Sequence, residues 1–232
     1  MSERGWERVT AFAGIFTMVL LLAELLTWGN PEFTDSVARI KSIFVANQRM
    51  SFVSLELAVW ALVPLIVFAA GLRTVLSRNQ RDEGVLPAVF FGSALIFASA
   101  QIPFAGISAA LALGAAHASD SEITLLQAAL TGLDAFRFMP FGMMVVAGSL
   151  AMIQTRSFAR WVGWVGLVSG VLTLTAELSF FDPLGPIGNI GNVGQLGFLL
   201  FLIWAAAVSV TLLRRPVAPA LKQVAEAGTL AV

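Results

Sequence analysis

The 232-residue chain is short of the residues that soluble proteins use for solvation, redox chemistry and metal binding. It has no cysteine, which excludes disulfide bonds, thiolate metal ligands and cysteine nucleophiles. A single histidine argues against a multi-histidine metal or haem site. Charged residues make up 12% of the chain, whereas ordinary soluble domains have roughly 25%. A soluble enzyme and a disordered regulator are therefore excluded.

The charges that are present balance, with 14 basic and 14 acidic residues, so there is no basic excess for nucleic acid to bind. Hydrophobic residues make up 58% of the chain. This composition predicts an all-α polytopic membrane protein whose partner is the lipid bilayer. It suggests neither a cofactor nor a metal, because His117 beside Asp120 and Glu122 is more typical of a solvated loop than of a metal site. The sequence does not indicate an oligomeric state.

Six stretches are apolar over enough residues to cross a bilayer, since about 20 helical residues span roughly 30 Å of hydrocarbon. Each is too long for a barrel strand and lacks the alternating pattern of one. We therefore expect a six-helix transmembrane bundle within residues 1–215, followed by a mobile tail at 216–232. The expected spans are 9–28, 51–72, 85–113, 125–154, 161–181 and 193–213.

The distribution of basic residues predicts the orientation of these spans. Ten basic residues lie on the side of the two termini, and three, Arg39, Lys41 and Arg49, lie in the first loop of the opposite side. The positive-inside rule then puts both termini in the cytoplasm. The first outer loop also contains a segment at 34–46 that could form a surface helix, with Ile40, Ile43 and Phe44 facing lipid. An ordinary ordered loop is the alternative.

Every predicted span carries a polar residue at a similar depth. At about 1.5 Å of rise per residue, these side chains start roughly 22–30 Å from the cytoplasmic boundary. Charged residues inside a bilayer are costly and commonly mark a functional site. The pattern favours a pocket in the outer third of the membrane, although carboxylates that reach interfacial water would have the same depths. The residues are Glu24, Glu56, Gln101, Asp134, Arg137, Glu177 and Gln195.

Carboxyl groups predominate in this layer. Asp134 and Arg137 are three residues apart on one helix face, so we expect them to pair. Four carboxyl groups around one guanidinium cannot all stay ionised in a low-dielectric site, so at least one should hold its proton. An ionised and a protonated carboxyl together are what general acid–base catalysis requires. Glu56 and Glu177 are the predicted proton-exchanging residues, and Glu24 would tune them.

Two tryptophans could form walls of such a pocket. Trp28 follows Glu24, and Trp60 follows Glu56, by four residues, so each indole shares a helix face with a carboxylate. A membrane-interface anchor for Trp28 and a packed core position for Trp60 are the alternatives.

Small residues suggest close approach of the backbone in three places. The glycine-rich segment 185–197 predicts a loop that dips toward the polar layer with Asn192 and Gln195, although a helix-packing face would explain it too. Gly166 and Gly170 form a GxxxG pattern typical of helix packing. The same type of pattern continues in another span, at Gly106, Ala110 and Gly114.

Two stretches carry a resemblance to a known family. They are Arg-Trp-Val-Gly-Trp-Val-Gly-Leu-Val-Ser-Gly at 160–170, and Gly-Phe-Leu-Leu-Phe-Leu-Ile-Trp at 197–204, which runs on to Arg214-Arg215. With the six-span layout, they resemble a family of small bacterial integral-membrane proteins catalogued as a domain of unknown function. The resemblance implies a multi-pass protein of the bacterial plasma (inner) membrane, and it implies no activity or catalytic residues.

The leading hypothesis is a membrane-embedded enzyme that isomerises, cyclises or dehydrates a lipophilic small molecule. A carrier coupled to protons or cations is the alternative, although the inner halves of the spans contain no ionisable residue to line a second access route. A non-catalytic scaffold or accessory subunit is the third possibility. The predicted substrate-binding residues are Asp134, Arg137, Gln101, Asn192, Gln195, Trp28 and Trp60.

Overall fold

The computed structural model describes residues 3–27, 35–78, 84–178 and 191–215. These residues form seven α-helices and no strand, which confirms the all-α prediction. The helices are α1 (Glu3–Thr27), α2 (Val37–Ala46), α3 (Gln48–Ser77), α4 (Val85–Gly114), α5 (Asp120–Thr155), α6 (Arg160–Ala176) and α7 (Gly191–Arg214).

Five of the described helices, α1, α3, α4, α5 and α7, are long and apolar enough to cross a membrane. Their length and composition indicate a multi-pass membrane protein. The remaining predicted span, 161–181, falls on α6, which has 17 residues, fewer than the roughly 20 that a crossing needs. Residues 179–181 and the predicted tail at 216–232 lie outside the described residues.

The long helices and α6 form a closed ring. Each packs against its neighbour in the order α1, α3, α4, α5, α6 and α7, and α7 packs back against α1. Both ends of the described chain meet at one end of this ring, which we call the terminal end. There the Arg4 guanidinium donates to the Arg215 carbonyl (3.4 Å), and Arg78 lies 3.2 Å from the Glu7 carboxylate. The opposite end is called the distal end.

Glycines allow the helices of the ring to approach closely. A Cβ at Gly166 would collide with the Ser149 hydroxyl and the Trp204 ring, and one at Gly170 with Val146. Packing by this GxxxG pair is therefore confirmed. The expectation for the second pattern is wrong, because no described atom lies within 4 Å of a Cβ built at Gly106 or Gly114. That face of α4 points away from the ring.

The segment at 34–46 is expected from the sequence to be either a helix or an ordered loop. It contains α2, which confirms the helix. Ser36 caps it by accepting a hydrogen bond from the Arg39 backbone N–H (3.3 Å). Its expected position on the lipid surface is wrong, since Ile40 and Phe44 are only 3% and 5% exposed. They pack with residues of α4 and α5 in a small second core, which includes Leu111.

The length of the α4–α5 hairpin accounts for this second core. Helices α4 and α5 have 30 and 36 residues. At about 1.5 Å per residue, they extend over about 45–54 Å, more than the roughly 30 Å of hydrocarbon that a crossing requires. Helix α2 covers the apolar side of this hairpin. Lys41 of α2 also forms a 2.9 Å ion pair with Asp120 of α5. Hydrophobic burial against protein thus replaces the burial in lipid that the sequence suggested.

Candidate functional site

Arg137 is the best-anchored polar residue in the distal half of the ring. It lies near the middle of α5 and is 9% exposed. Its Nε donates to Asp134 Oδ1 at 2.7 Å, and its Nη2 lies 2.6 Å from the same oxygen. The predicted pair therefore forms. Its Nη1 donates to Gln101 Oε1 of α4 at 2.5 Å, so the guanidinium also joins two helices.

Two phenylalanines hold the plane of the Arg137 guanidinium. Its central carbon lies 3.7 Å from the centroid of the Phe104 ring and 4.7 Å from that of Phe138. A cation over an aromatic face is stabilised by the ring quadrupole, more so where water is excluded. Phe104 was not among the residues predicted from the sequence, although its position one turn after Gln101 on α4 was a usable signal.

Glu24 and Glu177 lie near the same guanidinium. Both side chains are partly buried, and both are within electrostatic range of Arg137 and Asp134. Glu24 comes from α1, which stands across the ring from α5, and Glu177 follows the last turn of α6. These contributions meet because the ring brings four helices around one centre. We call the resulting set the polar cluster: Glu24, Gln101, Asp134, Arg137 and Glu177.

Aromatic rings fill the centre of the bundle on the terminal side of the polar cluster. Trp204 of α7 contacts Phe68 of α3 at a centroid distance of 6.3 Å, and Phe141 of α5 contacts Phe201 of α7 at 4.8 Å. Helix α7 is not a ring neighbour of α3 or α5, so these contacts cross the middle. The aromatic floor, as we call it, consists of Phe68, Phe90, Phe97, Phe141, Phe201 and Trp204.

The register of α4 and α5 puts this floor directly below the cluster. Phe97 precedes Gln101 by four residues, and Phe141 follows Arg137 by four, so each ring shares a helix face with a cluster residue. The two rings contact each other at 5.1 Å. Within the described residues, the polar cluster therefore has a closed apolar surface toward the terminal end.

The structure does not bring Glu56 to the polar cluster. Glu56 lies on the outward face of α3, where its carboxylate accepts a 3.1 Å hydrogen bond from Trp60 Nε1. Trp60 is 64% exposed and so is not a core residue either. One residue of helix turns the side chain by about 100°, and the preceding Leu55 occupies the inward direction at 6% exposure. The expected convergence of Glu56 with Glu24 and Glu177 is thus not found.

The remaining candidates are less informative. Gln195 is exposed on α7. The neighbouring Gly194 and Gly197 lie against α6, and the Ser169 hydroxyl donates to the Gly197 carbonyl at 2.7 Å. At Gly194 and Gly197 the glycine-rich segment is therefore a helix-packing face. Trp28, residues 185–190 and the side chain of Asn192 lie outside the described residues.

The described residues contain no group of three or more histidine, cysteine, aspartate or glutamate side chains that could hold a metal ion. His117 is exposed in the turn between α4 and α5. No protein-family model, curated protein or solved structure matches the chain. The resemblance based on 160–170 and 197–204 consequently stays a prediction, and it assigns no chemistry to the polar cluster.

Proposed function

We propose that the protein is a membrane-embedded enzyme that uses carboxyl acid–base chemistry to isomerise, cyclise or dehydrate a lipophilic small molecule. The observation that carries the proposal is that Glu24 and Glu177, which come from two different helices, are both partly buried within electrostatic range of one immobilised guanidinium. In this proposal they are the proton-exchanging residues. Glu56 is replaced in that role by Glu24, because Glu56 lies on the outside of the bundle.

The charges of the cluster support this division of roles. Arg137 is paired first with Asp134, and an arginine does not give up its proton in proteins. The cluster holds three carboxyl groups against this one cation, and in this proposal one of the two partly buried glutamates keeps its proton. One of Glu24 and Glu177 then donates a proton to the substrate while the other accepts one. An isomerisation by this route conserves protons and needs no added oxidant or reductant.

The surroundings support a lipophilic substrate. The apolar rings of Phe97 and Phe141 would contact its hydrocarbon part, and aromatic faces also stabilise transient cations. The Asp134–Arg137 pair would orient a polar group such as a hydroxyl or a carbonyl. In the orientation that the basic residues favour, the cluster opens toward the outer leaflet of a bacterial plasma membrane. A carrier would need a second route through the aromatic floor, which disfavours that alternative.

Deuterium transfer from solvent tests the proposal with an unidentified substrate. The purified protein in lipid nanodiscs is incubated in D2O with a lipophilic extract of bacterial membranes, and deuterated products are sought by mass spectrometry. Wild-type protein should transfer carbon-bound deuterium to a component of the extract. Glu24→Gln and Glu177→Gln should each lower the rate by about 100-fold or more, the usual contribution of a general acid or base.

Glu56→Gln is the matched control, since it removes a carboxylate at a comparable depth on the neighbouring helix and should keep the wild-type rate. Heat-inactivated protein gives the background. The proposal fails if wild-type protein does not exceed that background, or if both cluster variants fold and keep full activity.

A further inference from the structure

A groove runs along the lipid-facing surface of the bundle between α1 and α3, separate from the polar cluster. Its volume is about 450 Å³. Phe16 and Leu20 of α1 form one wall. The other wall belongs to α3 and includes Arg49, Phe52, Glu56 and Trp60.

The length of the groove matches one leaflet of a bilayer. Trp60 follows Arg49 by eleven residues on α3, which corresponds to about 16.5 Å of helix. The hydrocarbon of a single leaflet is about 15 Å deep, half of the roughly 30 Å core. Arg49 precedes the expected span at 51–72, so we expect its guanidinium at the level of the headgroups and Trp60 among the acyl chains.

The two ends of the groove differ in chemistry. Arg49 is exposed, and within the described part of the chain it makes no ion pair or hydrogen bond, so its charge is available. Toward the other end, Phe16 is 56% and Trp60 is 64% exposed. The indole N–H of Trp60 is already bound by Glu56, so the indole offers only apolar surface to an occupant. A free cation above an apolar channel complements a phosphate above a hydrocarbon chain.

We propose that this groove binds one phospholipid of the distal leaflet. Its phosphate pairs with Arg49, whose planar guanidinium can donate two parallel hydrogen bonds to phosphate oxygens. One acyl chain lies between Phe16 and Leu20 on one side and Phe52 and Trp60 on the other. Glu56 is a positioning residue that holds the indole flat along the channel. The proposal is independent of any catalytic role of Glu24 or Glu177.

Native mass spectrometry of the full chain released from detergent micelles tests this site, with phosphatidylglycerol and a diacylglycerol of the same chains as probes. Wild-type protein should retain one phosphatidylglycerol per chain and bind diacylglycerol at least about tenfold more weakly, since a charge-assisted pair contributes about that much. Arg49→Ala should remove this preference. Arg39→Ala, which removes an exposed arginine of α2 outside the groove, should leave it unchanged.

Leu20→Trp tests the acyl channel by filling it while leaving Arg49 in place. This variant should lose the retained lipid and keep the wild-type helix content by circular dichroism. As a second readout, a phospholipid with brominated chains should quench the fluorescence of Trp60 more strongly than that of Trp161, which lies at the terminal end. The contribution of each tryptophan is the fluorescence that is lost in Trp60→Phe or in Trp161→Phe. The proposal would be overturned if wild-type protein retained both probe lipids equally. It would also be overturned if Arg49→Ala and Arg39→Ala lost the preference for phosphatidylglycerol to the same extent.

Discussion

Gln101 of α4 accepts a 2.5 Å hydrogen bond from the guanidinium of Arg137 on α5. Both residues are buried, at 5% and 9% exposure, so the bond forms where water cannot replace it. It ties together the two longest neighbours in the ring and fixes the direction of the only guanidinium in the polar cluster. The remaining acidic groups of the cluster therefore face a cation that has little freedom to move.

Loss of this bond should destabilise the protein. Gln101→Leu leaves the Arg137 Nη1 group without its acceptor, and an unsatisfied buried donor costs about 1–3 kcal/mol. Gln195→Leu, at an exposed position on α7, should change the free energy of unfolding by less than about 0.5 kcal/mol. Denaturant unfolding in detergent micelles measures both. Equal stabilities would show that the Gln101 bond contributes nothing.

The glycine contacts predict opposite results at two positions. Gly166→Ala puts a methyl group into the Ser149 hydroxyl and the Trp204 ring, and overpacking of this type costs about 1–3 kcal/mol. Gly106→Ala meets no described atom within 4 Å and should gain up to about 1 kcal/mol from the better helix propensity of alanine. The comparison uses thermal unfolding of both variants in the same detergent. A Gly166→Ala protein as stable as Gly106→Ala would contradict the close packing of α6.

Helix α2 should depend on the second core. Phe44→Ala removes a side chain that is 5% exposed, which should cost about 3–5 kcal/mol and free α2 from the α4–α5 hairpin. Val45→Ala changes a neighbour that is 54% exposed and should have little effect. Hydrogen–deuterium exchange of the amides at 37–46 reports the change. Protection that persists in Phe44→Ala would mean that α2 is held by other contacts.

The absence of native cysteine makes single introduced thiols a direct test of access and orientation. His117→Cys, at the distal end, should react with a membrane-impermeant maleimide added to intact cells. Ser77→Cys, at the terminal end, should react only after the cells are permeabilised, because the basic residues at that end favour the cytoplasm. Glu177→Cys should follow the distal pattern, since the aromatic floor closes the other side. The reverse labelling of His117→Cys and Ser77→Cys would invert the proposed orientation.

The local order of the helices could be predicted from the sequence because it depends on short-range properties. Apolar runs of about 20 residues identified the long helices, and the spacing of Asp134 and Arg137 predicted their pairing. The helical rise per residue, counted from each expected span boundary, also predicted a common depth for Gln101, Glu177 and Arg137. Depth, however, says nothing about the direction in which a side chain leaves the helix. Glu56 has the same depth as the cluster residues and faces the opposite way.

The amino-acid sequence by itself determined an all-α membrane chain with ionisable groups near one end of its helices, since length, hydropathy and residue spacing suffice for that. The tertiary structure decided which of those groups meet. The packing of the helices into a closed ring leaves Glu24 and Glu177 partly buried within electrostatic range of Arg137, while it leaves Glu56 and Trp60 exposed on the outside of the bundle. The physical reason is that helix rotation is set by burial of whole faces against neighbours, a sum over many contacts that no single motif contains.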